Sequence, residues 1–168
     1  MTELNYHVDD QDNVIGKVDH NDVIEKGVLN RGVGVVVFNS KGEIFVHQRS
    51  HNKKIFPGYY DYAFGGSVIV GESYEQAAAR ELEEETGISN VEIKPLIDFN
   101  WRSDTLNYNA QVFYCLWDGE INIQKEEIEK GFFVSLEEFE KMLKTEKFCD
   151  DMVEMWKKCG DKIKNEAK

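Results

Sequence analysis

Residues 71–88 read Gly-Glu-Ser-Tyr-Glu-Gln-Ala-Ala-Ala-Arg-Glu-Leu-Glu-Glu-Glu-Thr-Gly-Ile. Ser73 followed by Gln76 is a capping-box signature, and Gly87 suits a left-handed C-terminal cap. Alanines at 77–79 favour a helix, so the spacing predicts one over residues 73–86, with Tyr74 as its first helical residue. At about 100° per residue, Glu81, Glu84 and Glu85 then share an arc of about 100°, and Glu83 points nearly the other way. Ala79 and Leu82 are expected to face the core. Like charges three or four apart on a helix cost roughly 0.2–0.5 kcal/mol per pair. The cluster therefore either stands in solvent or shares a cation. Hard carboxylate oxygens with no His or Cys beside them suit Mg²⁺ or Mn²⁺, which keeps waters and completes its shell from substrate phosphates.

A longer spacing surrounds these residues. Gly66, five residues, Glu72, seven residues, then Arg80-Glu81-Leu82-x-Glu84-Glu85-x-Gly87-Ile88 makes nine specified positions in twenty-three. This resembles the Nudix hydrolase signature, and every specified position matches. The resemblance implies an α/β/α sandwich and divalent-metal-dependent cleavage of a diphosphate linkage. It further implies that Glu81, Glu84 and Glu85 bind the metal and that Gly66 adds its backbone carbonyl. Glu72 and Arg80 are implied to form an internal ion pair. Carboxylates outside the pattern that offer a general base are Glu126 and Glu127, where a solvated turn is the simpler expectation.

The segment upstream, His47 to Ser73, is similar to the branch that includes type I isopentenyl-diphosphate isomerase and related Nudix hydrolases. There Arg49 and Lys53 match positions that hold the diphosphate, with Lys54 as the neighbour that could replace Lys53. The isomerase uses a cysteine in a Cys-Gly-His segment, whereas this chain reads Gly65-Gly66-Ser67. Hydrolysis of a nucleoside di- or triphosphate, or of a nucleoside diphosphate derivative, is the expected activity. The alternatives are an isomerase lacking its cysteine and a non-catalytic nucleotide-binding module. Tyr59, Tyr60, Tyr62, Phe64, Trp101 and Tyr108 supply either a base platform or core packing. The resemblance leaves a homodimer open.

The elements that must position these groups are legible in outline. Residues 6–18 read as a hairpin around Asp9–Asn13, and Asn21–Gly27 as one or two helical turns. Val33–Phe38, a turn at residues 39–42 and Glu43–Gln48 form the clearest hairpin. Residues 91–99, 109–120 and 131–136 read as strands. Helices follow from about Ser135 and over 148–164, the last with Met152, Met155, Trp156 and Ile163 inward. Strands on both sides of one marked helix indicate α+β, or an α/β/α sandwich with a mixed sheet. A chain of 168 residues without repeats or linker is expected to be one domain, 1–168.

Composition narrows the partners. A net charge of −12 leaves no broad basic face for nucleic acid. No apolar run reaches the length of a membrane span, and the first thirteen residues have neither a basic start nor an apolar stretch. Cys115, Cys149 and Cys159 are odd in number and unpaired in pattern, as expected of reduced thiols in a cytoplasm. The expected partner is a small phosphorylated substrate, with the metal offsetting its charge.

Overall fold

The computed structural model describes residues 3–168; Met1 and Thr2, the first of the thirteen residues with neither a basic start nor an apolar stretch, lie outside the described residues. The centre of the fold is strand β3, Asn30–Phe38. Its run Val33–Phe38 is apolar without alternation, which suits a strand covered on both faces. Val33, Val35 and Val37 face one layer with Phe45, Phe64 and Leu82. Val36 and Phe38 face the other with Ile44, Val46, Phe139 and Met155. Glutamates are thereby excluded from both faces of the centre, and chemistry must sit at an edge or a gap.

Before it come β1 (Leu4–Val8), β2 (Val14–Asp19) and the short helix α1 (His20–Glu25). After it come β4 (Ile44–Arg49) and the two-residue β5 (Tyr60–Asp61). The marked helix is α2, Tyr74–Thr86. Then follow β6 (Lys94–Arg102), β7 (Asn107–Leu116) and β8 (Ile128–Val134). Helices α3 (Leu136–Thr145) and α4 (Asp150–Glu166) end the chain. The sheet is mixed: β3 runs parallel to β7 from Asn30–Tyr108 to Phe38–Leu116, while β4 pairs antiparallel with β8 and β6 with β7. Helix α2 packs on one face and α3 with α4 on the other. This is the expected α/β/α sandwich.

Several local expectations shift, and the strands expected over 109–120 and 131–136 run over Asn107–Leu116 and Ile128–Val134. The strand expected over 91–99 runs from Lys94 to Arg102, because pairing with β7 from Lys94–Tyr114 to Arg102–Asn107 sets its register. In α2, Ala79 is exposed, whereas Ala77, Ala78, Leu82 and Thr86 are buried. The inner face is thus rotated by a residue from that expected. Burying Leu82 alone removes enough apolar surface to stabilise the contact by about 1.5–3 kcal/mol. No helix among the described residues is long and apolar enough to cross a membrane.

Candidate active site

Strands β3 and β4 are joined by a tight turn but pair only at Phe38–Ile44, and then part. The chain after β5 fills the gap. Val35 exchanges backbone hydrogen bonds with Phe64 at 2.7 and 3.0 Å, and the Val33 N–H donates to the Gly66 carbonyl at 2.9 Å. The approach is too close for side chains: a Cβ on Gly65 would lie 1.9 Å from the Val33 carbonyl oxygen. A Cβ on Gly66 would lie 2.5 Å from Glu81 Oε1. The two glycines thus let the backbone thread the sheet and leave room for the carboxylate that α2 directs at it.

Helix α2 is anchored as its sequence predicts. Ser73 accepts from the Gln76 N–H and Gln76 accepts from the Ser73 N–H, and Gly87 takes φ 73° as it caps the end. Arg80 then gathers the acidic residues around itself. Its Nε and an Nη donate to both oxygens of Glu72 at 2.7 and 3.0 Å, the bidentate geometry that favours arginine over lysine. The same guanidinium reaches the Ser67 carbonyl at 3.1 Å and so ties the loop to the helix. Its other Nη bonds Glu81 at 2.7 Å and touches Glu84 at 3.4 Å.

The three carboxylates do not share one environment. The Glu84 side chain is 54% exposed and that of Glu81 14%. Burial pushes the Glu81 carboxyl up despite its bond to Arg80. Glu85 is deeper still: its Oε2 accepts from the Gly65 N–H at 3.0 Å. Burial, then the charges of Glu81, Asp61 and Glu127, push its carboxyl well above the usual range. In contrast, the Arg80 bond holds Glu72 below that range. No three carboxylate, histidine or cysteine side chains among the described residues close a complete cation shell. Arg80 holds Glu81 and Glu84, two of the three glutamates expected to bind the metal, instead. Still, Glu81 and Glu85 fit a hard divalent cation: both offer oxygen donors, Glu85 without a cationic partner among the described residues, beside a cradle kept open by Gly66.

A cavity of about 480 Å³ opens beside this helix, and Gly65, Gly66 and Glu85 line it. Arg49 and Lys53 line it too, so residues from β4 and the following loop meet the signature segment. Arg49 donates to the Ile55 carbonyl at 3.1 and 3.3 Å, and Lys53 pairs with Glu127. Glu126 and Glu127 sit on a turn, as expected, with Glu126 exposed and Glu127 half-buried, and both line the cavity. Glu81, Glu84 and Arg80 stand outside its lining. Of the six aromatic candidates only Tyr108 lines it, while Tyr62 and Phe64 are fully buried in the core.

Three lining groups carried no motif in the sequence: Asp61, Asp151 and Tyr108. Asp61 is 8% exposed and Asp151 7%. Burial raises Asp61 to about 6, against the lowering effect of Arg49, and burial raises Asp151 as well. A lone aspartate between two tyrosines gives no warning of this. Long-range bonds bring β5 against the start of α4, among them the backbone bonds of Tyr60 with Lys147 and Cys149 and the bond from the Tyr62 hydroxyl to the Met152 carbonyl. Cys149 also lines the cavity, but burial pushes its thiol upward and keeps it protonated. It does not reproduce the isomerase segment, which Gly65-Gly66-Ser67 replaces.

Comparison with known proteins agrees with this geometry. Residues 28–155 match the family model described as the NUDIX domain. An uncharacterized Nudix hydrolase of Pseudomonas aeruginosa is 34% identical over 152 residues, covering 90% of each chain. An isopentenyl-diphosphate Δ-isomerase of Photorhabdus laumondii is 29% identical over 150 residues, 84% of this chain and 85% of the relative. The crystal structure of DR0079 from Deinococcus radiodurans superposes with a TM-score of 0.80 at 26% identity, covering 94% of this chain and 99% of that one. With its glycine-lined gap, its arginine-bound glutamates and these relatives, the chain belongs to the Nudix family, as a hydrolase of diphosphate bonds.

Proposed function

We propose that this single-domain protein hydrolyses a diphosphate linkage in a nucleoside di- or triphosphate or a nucleoside diphosphate derivative, with Mg²⁺ or Mn²⁺ as its cofactor. One observation carries the proposal. Five carboxylates (Asp61, Glu85, Glu126, Glu127 and Asp151) line the cavity against three cationic side chains, Arg49, Lys53 and Lys54. A diphosphate adds further negative charge, and the burial of Glu85 leaves little water to screen it. Entry of such a substrate requires a cation that the side chains alone do not supply.

Glu81, Glu84 and Glu85, with the Gly66 carbonyl, are the groups we assign to hold it. When bound, the cation neutralises phosphate oxygens and lowers the pKa of a water. Arg80 orients Glu81 and, through Glu72 and Ser67, keeps the loop in register with α2. Arg49 and Lys53, which line the cavity, bind the diphosphate oxygens. A carboxylate must also take the proton of the attacking water, and Glu126 and Glu127 lie on the cavity for that role. The free thiols of Cys115, Cys149 and Cys159 support a reducing compartment such as the cytoplasm.

The test is release of phosphate or nucleotide from a panel of nucleoside di- and triphosphates, nucleotide sugars and dinucleotide polyphosphates, in millimolar Mg²⁺ or in EDTA. Turnover is expected with Mg²⁺ and none with EDTA. Glu84→Gln should reduce turnover at least about a hundredfold, on the scale of losing one transition-state group, and Glu83→Gln should be nearly silent. Equal activity of Glu84→Gln and the wild type would remove the metal assignment.

A further inference from the structure

The buried part of the cavity holds two carboxylates whose acceptor capacity is only partly used among the described residues. Asp61 Oδ1 accepts from the Tyr62 and Ala63 N–H groups at 2.7 and 2.9 Å. Its Oδ2 has only the Cys149 thiol at 3.8 Å and Arg49 at 4.0 Å beside it among the described residues. Asp151 accepts from the Met152 N–H at 3.0 Å and from the Tyr108 hydroxyl at 2.7 Å, one donor for each oxygen. A carboxylate oxygen takes two donors, so lone pairs stay open on residues more than nine-tenths buried. Phe99, Val112, Met152 and Met155 supply apolar walls to the same cavity.

We infer that Asp61 and Asp151 form a subsite for a ring that carries an exocyclic amino group. The inference rests on the nucleotide reading above and names which bases it takes. An amino group brings N–H donors to the open acceptors while the ring packs on the apolar walls. An oxo group at the same position brings another acceptor and leaves those lone pairs open in a buried site. A hydrocarbon tail supplies no donor at all, and a phosphate is repelled.

Matched substrate pairs test this. Cytidine against uridine and adenosine against inosine differ at one ring position, amino in the first of each pair and oxo in the second. Each pair is compared by kcat/KM in whichever form the panel shows to be turned over, as diphosphate, triphosphate or sugar derivative. The wild type should favour the amino member at least about tenfold, as expected where a buried polar group loses its partner. Asp61→Asn and Asp151→Asn should bring the ratio towards one, with unchanged far-UV circular dichroism. Should a variant misfold, the wild-type ratio and inhibition of the wild type by CMP against UMP decide alone. Ratios within about twofold of one in the wild type, with metal-dependent turnover intact, overturn the subsite and leave the hydrolase reading standing. No metal-dependent turnover of any nucleotide removes that reading and the subsite together.

Discussion

Asp61 and Glu72 are both carboxylates within a dozen residues of Gly66, and the fold shifts them in opposite directions. Glu72 gains two bonds from Arg80, which favour its charged form. Asp61 loses water and gains too few partners, so its charged form is disfavoured. The consequence for stability has a definite sign. Below the ordinary value of 3.8 both folded and unfolded chains protonate Asp61, and the group is neutral to stability. Between 3.8 and about 6 the folded chain keeps a proton that the unfolded chain has lost. Stability therefore falls as pH rises through that window, by about 1.4 kcal/mol per unit, and the cost persists above it. Asp61→Asn keeps the oxygen that accepts from Tyr62 and Ala63 but cannot ionise. Its Tm relative to wild type should rise by several degrees between pH 4 and pH 7. A difference that stays flat across that range would show that Asp61 carries no raised pKa.

At the scale of the element, α2 and the glycine loop work as one unit because Arg80 and Gly66 join them from opposite sides. Arg80 draws the loop in through the Ser67 carbonyl, and Gly66 leaves the volume into which Glu81 fits. Gly66→Ala tests the second half of that device. A methyl 2.5 Å from Glu81 Oε1 must displace the carboxylate, since the loop backbone is fixed by the Val33–Gly66 bond. Turnover should drop at least about tenfold, on the scale of a misplaced catalytic group, while the melting transition stays cooperative. Full activity in Gly66→Ala would mean that the Glu81 side chain has a second, equally competent position. The capping box, the Gly87 cap and the helix limits were all legible in the sequence, because each depends on contacts within four residues. Which alanines faced inward was not, since that is fixed by how α2 packs on Val33, Val35 and Val37.

At the scale of the whole molecule, the cavity exists because the sheet splits. Lys53 and Glu127 lie 74 residues apart and meet across it because β4 pairs with β8 from Ile44–Val134 to Arg49–Ile128. If Lys53 serves the diphosphate, Lys53→Ala should raise KM several-fold and leave kcat within about twofold, the pattern of a lost binding contact. An unchanged KM would confine Lys53 to its pair with Glu127.

The arrangement of residues 66–88 was legible in the sequence itself: a helix fixes the angle between residues three and four apart, so spacing alone separated Glu81, Glu84 and Glu85 from Glu83. Val33–Phe38 was equally plain as a strand, since a β-branched run ending in a turn favours one, but its central place between two layers was not. Tertiary structure alone decided the rest. It exposed Glu84 while burying Glu85, turned Glu127 towards Lys53, and brought Asp61 of β5 to Asp151 of α4. Burial and partners across 90 residues of chain are properties of packing, and packing leaves no local spacing to read.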